Sequence, residues 1–280
     1  QINTYSFISP KYYDKIRLAA DDPRRASVVI QNPLGEDTSV MRTTALPSML
    51  EILSGNYNNR NLDARLFELA TEYIPAAQAD VLPEEKLRLV LGGYGQDMDF
   101  FDMKGTVEAL LEKCGVEGWE AVPQTGRPEF HPGRCADLFV KDPESGEGVK
   151  LGTLGQVHPA VLENYGIGLP AFAAELDVAA LFKARRAEAS YEPLPRFPAV
   201  TRDLALLCDA ETPVAQLRGA IEAGAGKLLE KVELFDVYQG KQIPEGKKSV
   251  AYSVTLRSKE ATLTDAETEK AVSKMIRELE

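Results

Sequence analysis

Residues 234–258 read LFDVYQGKQIPEGKKSVAYSVTLRS, and they decide the architecture of the last third of the chain. Two alternating segments, read as strands over Leu228–Tyr238 and Lys248–Arg257, flank a loop holding Gly240, Pro244 and Gly246. Period-two alternation marks a half-buried strand. Upstream, Arg202–Asp209 reads as a strand and Thr212–Ala223 as a helix, with Thr212 at its N-cap and Pro213 at N1. Downstream, Thr264–Glu280 reads as a helix opened by a capping box from Thr264 to Glu267. The order β-α-β-β-α gives the first five elements of a ferredoxin-like split βαβ unit, with the last strand of that unit missing.

The same alternation assigns faces. Val250, Tyr252, Val254 and Leu256 form an apolar row that belongs under the helices. Leu204, Leu206 and Cys208 join it from the first strand, and Phe235 and Val237 from the second. The opposite face then carries Asp203, Ala205, Leu207, Asp236, Tyr238, Ser249 and Ala251. A base can stack on an exposed tyrosine there, a contact worth roughly 1–3 kcal/mol. An ordinary solvated sheet face with one stray tyrosine fits the same residues.

At 280 residues the chain exceeds one typical domain. An apolar share of 44% with 27% charged residues is that of a soluble globular protein. No run approaches the ~20 apolar residues of a membrane span, and no secretory signal opens the chain. Three widely spaced cysteines, Cys114, Cys135 and Cys208, suggest a reducing, cytoplasmic setting. The first residues, QINTYSFISP, already alternate like a strand, as though the sequence began inside a longer protein.

A formal charge of −11 excludes a general nucleic-acid binder with a basic surface. The charge is uneven. Residues 191–280 hold 13 Lys+Arg against 15 Asp+Glu, net −2, and the other 190 residues hold 19 against 28, net −9. Lys241, Lys247, Lys248, Arg257 and Lys259 form a local basic rim in and after one loop, which is compatible with RNA.

The boundary is written in proline. After a helical pattern comes YEPLPRFPAV (191–200), a stiff extended linker with Pro193, Pro195 and Pro198. The expected domains are therefore 1–189 and 190–280. In the first, strands read over Ile2–Ile8, Ser27–Gln31, Ala64–Tyr73, Lys86–Gly92, Asp137–Lys141, Leu151–Val157 and Phe172–Asp177. Helices fit Pro10–Ala20, Pro47–Asn58, Met103–Cys114, Pro159–Tyr165 and Val178–Arg185. Several strands follow one another directly, so the class is α+β with a largely antiparallel sheet.

One stretch there admits two readings. NPLGEDTSVMRTTALPSML (32–50) places Arg42, Thr43 and Thr44 just before a helix with Pro47 near its start. Arginine and a helix N-terminus together favour an anion. Hydroxyls before a helix equally serve as caps, which are far commoner.

Taken with LFELATEY (66–73), FHPGRCA (130–136), GTLGQVHP (152–159) and PRFPAVTRDLAL (195–206), these motifs resemble the family of bacterial phenylalanine–tRNA ligase beta subunits, in their C-terminal part. The resemblance covers nearly the whole chain. It implies a class II synthetase fold followed by a ferredoxin-fold anticodon-binding module. It also implies a heterotetramer of two alpha and two beta subunits, phenylalanine tRNA as partner, and ATP and magnesium used by the holoenzyme.

The alpha subunit of that family carries a motif close to F-A-x-G-x-G-x-E-R-L, whose arginine holds phosphate. Here the corresponding stretch is FAAELDVAAL (172–181), with Glu175 and Asp177 at the glycines and Ala180 at the arginine. Two carboxylates repel a triphosphate and alanine cannot hold one. The first module therefore reads as a catalytically silent copy that packs on the alpha subunit, with no catalytic residue of its own. Arg42, which echoes the alpha subunit's R-T-x-T-S-P arginine, is assigned to structure or the subunit interface. In the second module the resemblance implies anticodon contacts at Ala205, Tyr238 and Ser249, with Lys247 and Lys248 on backbone phosphate.

Two other functions remain to be separated from this one. An active class II ligase would use Arg42 with ATP, and a regulatory module would bind a small amino acid on the ferredoxin-like unit. His131 and His158 precede prolines without a partner at ligand spacing, so a turn or cap role outweighs zinc. GGYG (92–95) reads as a flexible loop, and Asp97, Asp99 and Asp102 as a solvated one.

Overall fold

The computed structural model describes residues 1–78, 81–142, 146–185, 191 and 193–280. The chain divides into two units, Gln1–Ala189 and Ser190–Glu280, and the cut expected near residue 189 falls outside the described residues.

The first unit begins with a short ribbon of β1 (Phe7–Ile8) and β2 (Val40–Met41), with α1 (Lys11–Lys15) between them. Then follow α2 (Leu46–Asn58), β3 (Ala64–Ile74), β4 (Glu84–Tyr94), α3 (Phe100–Lys113), β5 (Glu120–Pro123), β6 (Phe130–Lys141), β7 (Gly148–Val157), α4 (Pro159–Asn164), β8 (Ala171–Asp177) and α5 (Val178–Ala184). The strands β3 to β8 form one antiparallel sheet in the order β3-β4-β8-β7-β6-β5. β8 returns to the middle, so both its faces are covered: Phe172, Ala174 and Leu176 join the core under α3 and α5, while Ala171 and Ala173 join the core under α2.

α2 supplies Leu46, Met49, Leu50 and Leu53, the helical stripe legible in the sequence, all fully buried. Its contact with β4 corrects the GGYG reading. Gly92 and Gly93 lie inside β4, not in a flexible loop, and a Cβ on Gly92 would stand 2.5 Å from Met49 Cγ. The glycine lets a helix approach a strand. The strand expected at Ser27–Gln31 shrinks to one bridge, Val29 with Val40. The helix expected over Pro10–Ala20 stops at Lys15, because Arg17 adopts the left-handed region at φ 64°. β5 gave no alternating signal and was not anticipated. Asp99 and Asp102 are a capping box at the start of α3, which explains their spacing better than solvation does.

The second unit contains β9 (Val200–Asp209), α6 (Val214–Ala225), β10 (Leu229–Tyr238), β11 (Lys247–Leu256) and α7 (Asp265–Leu279). Its three strands are antiparallel in the order β10-β11-β9, with both helices on one face. Val250, Tyr252, Val254 and Leu256 are buried there with Ile221, Ala271 and Met275, as the alternation predicts. Gly224 makes the helix crossing close, since a Cβ on it would lie 2.5 Å from Met275 Cα. The capping box of Thr264 and Glu267 forms as expected. The cap expected at Thr212 does not: α6 starts one residue later, with Pro213 itself at the N-cap and no side-chain bond.

β10 departs from strict alternation. Leu234 pairs with Tyr252 and Asp236 with Ala251, leaving Phe235 as an extra residue in a β-bulge. Val232 and Leu234 therefore face inward before the bulge, and Val237, opposite Val250, faces inward after it. Phe235, expected inward, is 59% exposed.

Candidate nucleic-acid interface

The first unit holds the more elaborate polar site. On the α2 face of its sheet, register places Glu68, Glu175, Thr153 and Asp137 in one cross-strand row, interrupted only by Val90 of β4. Arg88 and Asp177 are paired in the next row. Together with Thr43, Thr44 and Glu72 they border a cavity of about 400 Å³. Each cation on its wall is already engaged. Arg88 donates to Glu72 at 2.9 Å and to Asp177 at 2.5 Å. Arg24 and Arg127 both reach Glu129, which is fully buried, and Lys150 reaches Asp137 at 2.7 Å. Lys86 meets Glu84 at 3.3 Å.

The positions that resemble a phosphate-holding motif are used structurally. Glu175 accepts from the Thr44 hydroxyl at 2.7 Å, and Asp177 caps α5 by accepting from Ala180 N at 2.9 Å. Thr43 donates its hydroxyl to the Arg24 carbonyl. α2 has Ala45 at its N-cap with no side-chain cap bond, but Thr44 Oγ1 also accepts from Leu46 N at 3.4 Å. The capping expected of the threonines thus persists in part at Thr44, while Thr43 serves a bond between elements. Arg42 is buried and spends its guanidinium on the Thr71 carbonyl at 2.9 Å, Thr4 Oγ1 at 2.7 Å and Glu68 at 3.3 Å. Burial, reinforced by the nearby Glu175 charge, pushes the Glu72 carboxyl up to about 7 despite its bond to Arg88. A cavity so neutralised has no spare cation for an anion.

The second unit presents the opposite arrangement. Tyr238 of β10 pairs with Ser249 of β11, and Ser249 pairs with Leu207 of β9, giving one row across the face the helices leave uncovered. The next row is Asp236, Ala251 and Ala205. Tyr238 is 42% exposed and Leu207 58%. With strands about 4.8 Å apart, tyrosine and leucine stand on either side of a small serine and form a shallow slot roughly 10 Å wide. Alanines 205 and 251 continue its floor. Tyr238, Ser249 and Ala205 are thus brought to one face, as alternation placed them.

Two residues were not singled out as site candidates, Leu207 and Asp236. Register was the missing signal: alternation shows which face a residue takes, but only pairing shows which residues are neighbours. Asp236 offers two acceptor oxygens beside the slot, suited to the N–H groups on a base edge.

The basic rim is thinner than the sequence implies. Lys248 sits on the inward row, 9% exposed, with its Nζ donating to the Ala210 carbonyl at 2.9 Å. It is not available to phosphate, which corrects its expected role. The reason is parity, since Lys248 shares a face with Val250. Lys247 does face outward, where it meets Asp209 at 2.7 Å. Arg257 bonds Glu230 at 2.7 Å, and among the described residues Lys241 and Lys259 have no ion pair.

Both histidines serve local geometry, His131 accepting from Gly133 N and His158 capping α4, each at 3.1 Å. Among the described residues, no group of three or more His, Cys, Asp or Glu is placed to hold a metal, and no helix is long and apolar enough to cross a membrane. The three cysteines are free.

Comparison with known proteins adds a lineage to this geometry. Residues 1–178 match the model of the phenylalanyl tRNA synthetase beta chain CLM domain, and residues 195–280 that of a ferredoxin-fold anticodon binding domain. The phenylalanine–tRNA ligase beta subunit of Clostridium tetani is 48% identical over 99% of this chain and 34% of its own length. That of Clostridium acetobutylicum is 44% identical with the same coverage. The chain thus spans about a third of the length of these curated relatives. Among solved structures, pyrrolysyl-tRNA synthetase from Desulfitobacterium hafniense has a TM-score of 0.51 at 17% identity, covering 65% of this chain and 61% of that one, a likeness of fold alone.

Proposed function

The chain belongs to the phenylalanyl-tRNA synthetase beta-chain family, and from that premise we propose that it serves phenylalanine–tRNA ligation as a non-catalytic scaffold joined to an anticodon reader. The first unit, 1–189, packs on the alpha subunit within a tetramer of two alpha and two beta chains in the cytoplasm. Activation of phenylalanine with ATP and magnesium belongs to the alpha subunit. The paired charges of the cavity favour this division, since every cation on its wall is committed and Ala180 replaces the phosphate-holding arginine. An active ligase centred on Arg42 finds no support in an arginine locked to Glu68.

The second unit, 190–280, reads the anticodon of phenylalanine tRNA. The observation that carries this reading is the exposed row Tyr238–Ser249–Leu207 with Ala205 and Asp236 beside it. Tyr238 stacks on a base, Ser249 bonds it, Asp236 accepts from its Watson–Crick edge, and Ala205 permits close approach. Lys247, in exchange with Asp209, serves backbone phosphate on this face, with Lys241, unpaired among the described residues, in the adjoining loop. The match of 195–280 to an anticodon-binding domain takes the place of a small-amino-acid site.

The test is binding of the whole chain to a stem-loop RNA carrying the phenylalanine anticodon. Tyr238→Ala should weaken it by roughly 1–3 kcal/mol, the usual value of one stacked base. Its melting temperature should hold, because the residue faces outward. An unaltered affinity would remove Tyr238 from the site.

A further inference from the structure

Resting on the anticodon reading just given, we infer that Gly240 is the positioning residue of the stacking platform: its missing side chain is the seat in which the Tyr238 ring lies.

The loop between β10 and β11 contains two glycines with different reasons to be there. Gly246 adopts φ 78°, a left-handed conformation, and a Cβ added to it would meet nothing within 4 Å. Its requirement is conformational. Gly240 is the reverse. It is not among the glycines of positive φ, so its backbone would accept an L-residue. A Cβ built on it, however, would stand 2.3 Å from the Tyr238 hydroxyl oxygen, 2.6 Å from Cζ and 3.2 Å from Cε1. The ring therefore folds forward along the chain onto the Cα of Gly240, two residues away. The Gly240 carbonyl is also fixed, accepting from Ile243 N at 2.9 Å, so this seat belongs to a defined turn.

The physical consequence is specific. Tyr238 lies at the end of an edge strand, where its neighbour across the ladder is the small Ser249. A large side chain against a small one has room to wander, and a wandering ring loses conformational entropy when a base stacks on it. Contact with Gly240 restricts the ring before any ligand arrives. Pre-organisation of this kind strengthens binding by reducing what must be ordered on association. Any side chain at position 240 would displace the far end of Tyr238, which is free to move. The fold would survive and the platform would not.

The experiment uses the whole chain, the same anticodon stem-loop RNA, and a double-mutant cycle of Gly240→Ala with Tyr238→Ala. Gly240→Ala should weaken RNA binding by about fivefold or more, approaching the loss in Tyr238→Ala, with an unchanged melting temperature and shifted Tyr238 ring resonances. In the Tyr238→Ala background the same substitution should change affinity by less than about twofold, since there is no ring left to displace. Two results overturn the inference while leaving the anticodon reading intact: wild-type affinity in Gly240→Ala when Tyr238→Ala binds weakly, or an undiminished Gly240→Ala loss in the double variant. Wild-type affinity in Tyr238→Ala would instead defeat the reading itself, and the seat with it.

Discussion

On the sheet of the first unit, Glu72 and Asp177 close on Arg88, and Glu68 closes on Arg42. On the sheet of the second, Asp203 and Asp236 stand on the open face with no cation paired to them among the described residues. Both sheets carry carboxylates at comparable density, so composition does not separate them. Burial does. A charge taken out of water must find its counter-charge within the fold, whereas a charge on an uncovered face is satisfied by solvent and can exchange water for a ligand. The first sheet has thereby used up its capacity to bind, and the second has kept it.

The sharpest way to break that contrast is to remove Arg42. Arg42→Ala strands Glu68 in a site where both side chains are under 5% exposed, and loss of one partner of such a pair typically costs about 3–5 kcal/mol. Trp119, the chain's single tryptophan, lies in the first unit, so its fluorescence during urea unfolding reports this loss. A loss under about 1 kcal/mol would mean that the pair behaves as a surface one. RNA binding by the second unit should be untouched.

A second test titrates the first unit. The Glu72 carboxyl ionises near 4.5 in an unfolded chain and at about 7 in the fold, so the folded form holds the proton that the unfolded form has released. Its contribution to stability is complete below about 4.5 and disappears as pH rises through about 7. Unfolding followed by Trp119 should show stability declining across that interval, and Glu72→Gln should flatten the decline. An unchanged slope in Glu72→Gln would assign the titration to another group.

The smallest effects separate two adjacent lysines. Lys247→Ala should reduce the salt dependence of RNA binding by nearly one phosphate contact, a slope change of about 0.7 to 0.9. Lys248→Met should leave that slope alone and act on stability. Equal slopes for both variants would place Lys247 outside the interface.

Much of this was legible in the sequence, and the exceptions share a cause. Amphipathic spacing located α2, the capping box located α7, and period two put Tyr238, Ser249 and Ala205 on one face. Each of those signals is local. What escaped was set by distant partners: Gly92 is strand because Met49 lies against it, Thr44 reaches Glu175 as well as its own helix, and Asp236 matters because register sets it beside Ala251. Lys248 is the instructive error, since its inward parity was already written in its place two residues before Val250. A basic motif outweighed the alternation that should have decided it.

The bulge at Phe235 also changes the phase of β10, as an earlier shift between Leu229 and Lys231 does at its start. At Val232 and Leu234 the inward residues fall on even numbers, and at Val237 on an odd one. The slipped residue is what brings Tyr238 into the same phase as Ser249 rather than Val250. If the bulge closed with Phe235 paired to Ala251, Tyr238 would fall opposite Lys248 and turn beneath the helices, with every original side chain still encoded. Along these ten residues, pairing phase counts for as much as residue identity, because one residue held out of the ladder decides which face the tyrosine takes.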